Sequence, residues 1–200
     1  MVLVVACNQR SVKSYVEEAD QFVQAKKIDD ALIVYQKGIQ EHTKNSVLYL
    51  NQAALFRDKQ KFESAIHNYQ VVMTINPDTV LPYIGLARVY LMQKNTEAAK
   101  NILEKAVHQF LKNPYVDYFL GQTYVGLQDH AKALSYFTNA IDEKLPEAEV
   151  YYVRGCLYDE ALHDKEKALA DYEKYMSLGG KNSGEAFVRV SALKNSGFDF

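Results

Sequence analysis

The chain has 200 residues, 48% hydrophobic and 24% charged, with a net charge of −2. That is the composition of a globular domain, and it leaves no basic excess to drive nucleic-acid binding. No apolar run reaches the ~18 residues of a membrane-spanning helix, and four prolines with nine glycines suit a mostly helical chain.

The first residues read MVLVVAC. An apolar run that ends in a small residue and then Cys, here Val4-Val5-Ala6-Cys7, resembles the lipobox of bacterial lipoproteins. The resemblance implies lipidation at Cys7 and a polar tether from Asn8 onward, so the anchor would be lipid rather than a spanning helix. No cationic segment precedes the run, and it is shorter than a secretory h-region of about 7–15 residues. A plain apolar tail over residues 1–11 is the alternative, so two locations stay open: a lipid-anchored periplasmic protein or a cytoplasmic one. Cys7 and Cys156 are the two cysteines, and their spacing alone does not decide the redox compartment.

From residue 12 a pattern recurs at a period of about 34, the period of a helix–turn–helix solenoid. With each repeat numbered from its first residue, the five are 12–45, 46–79, 80–113, 114–147 and 148–182. Position 8 is small where paired helices approach: Ala19, Ala53, Ala87, Gly121 and Gly155. Position 20 is Ala31, Ala65, Ala99, Ala133 and Ala168, the last one place late, which places an inserted residue in the turn EALHDKEK. Position 11 is aromatic throughout: Phe22, Phe56, Tyr90, Tyr124 and Tyr158. Position 24 is Tyr35, Tyr69, Leu103, Phe137 and Tyr172. At position 4 Asp117 breaks a row of tyrosines. Many of the 15 tyrosines thus occupy packing slots and need no chemical role.

Boundary signals agree. Asn45 or Ser46 can cap the first helix of the second repeat. Asn113-Pro114 and Leu145-Pro146 can open helices. Gly179 suits the left-handed residue after a helix. Residues 183–200 predict a capping helix, with Phe187, Val190 and Leu193 on its apolar face, followed by a tail.

These positions, five times in one register, resemble the tetratricopeptide-repeat family over residues 12–182. The resemblance implies an all-α, right-handed superhelical solenoid that acts as a non-catalytic binding scaffold. The first helix of each repeat would line a groove that holds a peptide segment of another protein. The groove residues so implied are Arg57, Leu81, Ile84, Arg88, Leu91, Met92, Tyr115, Tyr118, Gln122 and Tyr152, and the same register puts Val125, Cys156, Asp159 and Glu160 on that face. Most are apolar or aromatic, as at interaction surfaces. Family members that clamp acidic chaperone tails need Lys and Asn where this chain has Val16 and Asp20, so that partner is not expected. By analogy the family also suggests a role in assembling bacterial envelope complexes.

No catalytic pattern is visible. Five histidines are scattered without metal-ligand spacing. Asp159, Glu160, Asp164 and Glu166 lack the regular spacing of a calcium loop. No phosphate loop or nucleophile elbow occurs. No enzyme activity, metal or cofactor is expected. A soluble carrier of a small apolar ligand and a cytosolic chaperone remain as other readings, and the oligomeric state stays open.

Overall fold

The computed structural model describes residues 10–195, so Cys7 lies outside the described residues. Among these, eleven α-helices and one π-turn are formed, with no strand. The helices divide into two compact units, residues 10–93 and 94–195. The first unit holds α1 (Val12–Gln24), α2 (Ile28–Glu41), α3 (Ser46–Asp58), α4 (Phe62–Ile75) and α5 (Leu81–Met92). The second holds α6 (Thr96–Gln109), α7 (Pro114–Gly126), α8 (His130–Asp142), α9 (Glu149–Cys156), α10 (Lys165–Ser177) and α11 (Ser183–Asn195). The repeat 80–113 therefore contributes α5 to one unit and α6 to the other.

Polar side chains start most first helices. Asn45 accepts hydrogen bonds from the Val47 and Leu48 amides, and Asn113 does the same for Tyr115 and Val116 ahead of Pro114. This satisfies donors that have no partner inside the helix. Pro146 does not open α9, which begins at Glu149 with Ala148 at its cap.

The helix-joining turns share one geometry. Lys26, Gln60, Lys94, Gln128 and His163 all take a left-handed backbone, with φ between 53° and 61°. The carbonyl at position 11 accepts from the amide five residues on: Phe22 from Lys27, Phe56 from Lys61 and Tyr124 from Asp129, at 2.8–2.9 Å. This caps the first helix in the manner usually reserved for glycine.

The fifth repeat differs. Its Tyr158 carbonyl accepts from Asp164, six residues on, at 2.8 Å. The inserted residue is absorbed in the end of the first helix, where Leu157–Ala161 form a π-turn, and not in the loop as the sequence suggested. The loop keeps three residues, 162–164, like the others.

The core is made of the small and large slots together. All five position-20 alanines are fully buried, and Tyr35, Tyr69, Leu103, Phe137 and Tyr172 are 0–2% exposed. A Cβ on Gly121 would lie 2.5 Å from the Phe137 ring, and one on Gly155 would lie 2.9 Å from Tyr172. In the fourth and fifth repeats the small residue at position 8 lets the aromatic at position 24 cross it.

Polar groups also enter the core. In the first unit the buried Asn68 donates to Gln52 Oε1 at 2.8 Å, and Gln52 donates to the Leu32 carbonyl at 3.2 Å. In the second unit Asp171 is 5% exposed and takes both forks of Arg154 at 2.8 Å. On α11, Ala186 and Val190 face inward, whereas Phe187 is 63% exposed. The expectation that Phe187 packs inward is therefore corrected: it lies one residue round from the seam that Ala186 and Val190 define.

Candidate functional site

The first helices of each unit carry the implied binding residues. In the first unit Leu81 and Met92 are about half exposed, Ile84 and Leu91 are partly buried, and Arg88 is exposed. Arg57, by contrast, is 8% exposed. Its guanidinium binds Asp58 at 2.7 and 2.8 Å and donates to the Tyr69 hydroxyl at 3.3 Å. The reading of Arg57 as an open groove cation does not match that geometry: α3 turns its stem inward, and Asp58 and Tyr69 take its donors. Burial raises the Tyr69 pKa, while Arg57 and Arg88 pull it back.

In the second unit the three groove tyrosines are all partly buried and engaged. Tyr115 is hydrogen-bonded to Glu147, which raises the phenol's pKa. Tyr118 accepts from Gln122 Nε2 at 2.8 Å, and its ring lies 6.2 Å from that of Phe137. Tyr152 packs against Tyr175 at 5.0 Å and Tyr172 at 5.8 Å. Burial first, and then a hydrogen bond to Glu185, raises its pKa.

A half-open pocket of about 280 Å³ lies in this unit. Val125, Phe137, Val153 and Leu157 form its apolar wall, with Gln122 and Cys156 beside them. His130, Glu160 and Ala161 complete the lining. Gln122, Val125, Cys156 and Glu160 stand at groove positions that the repeat register had implied. Phe137 was read as pure core, and Val153 carried no signal. Leu157 and Ala161, which carried no such signal, arrive with Glu160 through the π-turn, whose trace in the sequence was the late Ala168.

Charged groups close one side. Arg189 on α11 binds Glu160 at 2.7 Å, Asp159 at 3.6 Å and Glu185 at 3.5 Å. The hydrogen bond to Glu160 raises its pKa most, against desolvation. Tyr172 donates to Asp159 at 3.2 Å. Burial pushes the Cys156 thiol's pKa up, and contacts with Tyr172, Arg189 and Tyr152 oppose that shift.

Asp117, which breaks the tyrosine row, has an explanation. In the first repeat Tyr15 at position 4 donates to Glu41 at position 30, at 2.6 Å. In the fourth repeat the same slots hold Asp117 and Glu143. Burial first, then the charge and hydrogen bond of Glu143, push the Asp117 carboxyl up to about 7. A protonated Asp117 can stand in for the phenol of that slot and donate to the carboxylate, as Tyr15 does to Glu41.

Among the described residues, no group of three or more His, Cys, Asp or Glu is placed to hold a metal ion. No described helix is long and apolar enough to cross a membrane.

Helix pairs with three-residue turns, repeated small-on-aromatic packing and a capping helix define an all-α helical-repeat protein. Two family models described as tetratricopeptide repeat match it, one over residues 56–123 and one over 118–144 and 148–179. The chain belongs to the tetratricopeptide-repeat family. No curated protein matches it. Similar solved structures include a thermophilic repeat protein of Thermus thermophilus, TTC0263, with 17% identity and a TM-score of 0.76. That match covers 92% of this chain and 98% of that one. PilF of Pseudomonas aeruginosa matches with 16% identity and a TM-score of 0.76, covering 92% of this chain and 84% of that one. YrrB, described as a repeat protein with an unusual peptide-binding site, matches with 16% identity and a TM-score of 0.61, covering 92% and 94%. At these identities the likeness is one of fold.

Proposed function

We propose that this chain is a non-catalytic scaffold that holds a peptide segment of a partner protein on the first-helix faces of its units. One observation carries the reading. Of the first unit's large hydrophobic residues that stand exposed, Val47, Leu81 and Met92 lie on first helices and only Ile33 on a second helix. Packing within a repeat leaves the other apolar residues of α2 and α4 buried or partly buried, while the first helices keep apolar area exposed, as expected of an interaction surface. The peptide-binding site named for YrrB makes a peptide a reasonable ligand class for this fold.

A photo-crosslinking residue placed at Met92, Val125, Ile33 or His67 tests this in cells. Adducts should form from Met92 and Val125, on first helices, and not from Ile33 and His67, on second helices. Equal labelling at all four sinks the proposal.

An envelope location is a separate proposal, and it rests only on Val4-Val5-Ala6-Cys7. The mass of the peptide that carries Cys7, from protein made with its native upstream region, decides it. An unmodified Cys7 in the soluble fraction ends that reading.

A further inference from the structure

The pocket in the second unit has a size, a wall and a charge that together specify an occupant. We infer that it is an anchor subsite for one apolar side chain, Leu, Met or Phe, of a partner segment that carries Lys or Arg beside that anchor. The inference rests on the scaffold reading above and names the chemistry of its ligand.

The size comes first. At about 280 Å³ the pocket lies just below the ~300–1,000 Å³ of sites that enclose a drug-sized molecule. It is half open, so a side chain can enter while its backbone stays outside. Val125, Phe137, Val153 and Leu157 then remove that side chain from water, which makes a deep apolar residue the favoured guest.

The position comes second. Val125 is 40% exposed on α7, so the pocket opens on the first-helix side of the unit. The π-turn sets its far wall. In α1, α3 and α7 the carbonyl of position 11 is capped by the amide five residues on, and here the span widens to six. Glu160 and Ala161 both belong to that turn and both line the pocket.

The charge comes third. The first helices around the pocket, α7 and α9 with its π-turn, carry the carboxylates Glu149, Asp159 and Glu160; Asp117, pushed up to about 7 by burial and Glu143, adds little to that charge. Their one cation, Arg154, is held by Asp171 with a side chain only 16% exposed. Arg189 answers Asp159 and Glu160 from α11, yet the Glu160 side chain remains 62% exposed. The rim is therefore acidic, and a cation next to the anchor complements it, while a carboxylate there is repelled.

A random peptide library selected on the full chain tests this. Selected peptides are then measured by fluorescence anisotropy against Val125→Asp, Val153→Phe, Glu160→Gln and Leu81→Asp variants. Circular dichroism confirms that each variant is folded, and Val125→Asp, at a half-exposed rim position, covers the case in which Val153→Phe does not fold.

The expected consensus is one large apolar residue beside Lys or Arg. Binding should fall about tenfold or more in Val125→Asp and Val153→Phe. It should fall about threefold in Glu160→Gln, with a shallower salt dependence. Peptides with no cation, or binding untouched by both pocket variants, overturn the inference. If such peptides are instead lost in Leu81→Asp, the scaffold reading stands and the pocket falls alone. If no peptide is selected, both fall. A small apolar molecule that co-purifies with the wild type and is absent from Val153→Phe would assign the pocket to a carrier and overturn the peptide.

Discussion

Replacing Asp171 by Asn leaves a guanidinium in the core with no anion. In the native chain Asp171 Oδ2 accepts from Arg154 Nε and Oδ1 accepts from Nη2, both at 2.8 Å. Arg154 Nη1 also donates to Thr138 on α8 at 3.3 Å, and the Tyr151 and Tyr158 rings lie about 6 Å from the guanidinium carbon. The pair thus ties α9 to α10 and α8. At an effective dielectric of about 20, a contact pair is worth roughly 4 kcal/mol of Coulomb energy. Breaking one side of a buried pair costs about 3–5 kcal/mol, because the other charge stays desolvated. Thr138 and the two rings remain as partial compensation, so Asp171→Asn should destabilise the second unit by about 3 kcal/mol. The unit-specific readout is amide hydrogen exchange, since repeat arrays open in parts. Amides of α9 and α10 should exchange roughly a hundredfold faster, while those of α1 and α2 should not change. The double variant Arg154→Met/Asp171→Leu should return to within about 1 kcal/mol of wild type, since apolar groups of similar volume can replace the pair. Exchange accelerated less than about fivefold by Asp171→Asn would refute the reasoning. A double variant as weak as the single one would do the same.

Asp117 gives stability a pH dependence. Its folded pKa is about 7 against an ordinary ~3.9 when unfolded, so between these values the folded state binds the extra proton. Stability should therefore fall as pH rises from about 4 to 7, by about 1–2 kcal/mol after solvent screening at this half-buried site. Asp117→Asn should flatten that slope in urea melts at a series of pH values. Gln128 holds φ at 61°, a backbone strain that glycine lacks, so Gln128→Gly should raise stability by about 0.5–1 kcal/mol in the same melts. Gly121→Ala should lower it by about 1–3 kcal/mol, because its Cβ would sit 2.5 Å from Phe137. Gly184→Ala is the control, with nothing within 4 Å of its Cβ, and should show no such loss.

The sequence by itself determined the helical repeat, its register and its core. Position 8 had to be small and position 24 large because the two touch, and that complementarity is visible as a period in one dimension. Asn45 and Asn113 were legible as caps for the same reason: a cap acts within three residues. Contacts between residues far apart in the chain were decided only by the tertiary structure. Lys26, Gln60 and Gln128 adopt a left-handed turn that their side chains do not advertise, because packing of the paired helices imposes it. Asp117 read as an exception until its neighbour proved to be Glu143. Arg57 had a groove position by register, yet it folds back to Asp58 and Tyr69. The pocket was legible only in part: the register reached Gln122, Val125, Cys156 and Glu160 but not its deeper wall. It needs Phe137 from one repeat, Val153 from the next, and an insertion whose place in the helix the sequence could not fix. A one-residue insertion costs little in an exposed loop, but here the helix end widened by one residue and the three-residue turn was preserved.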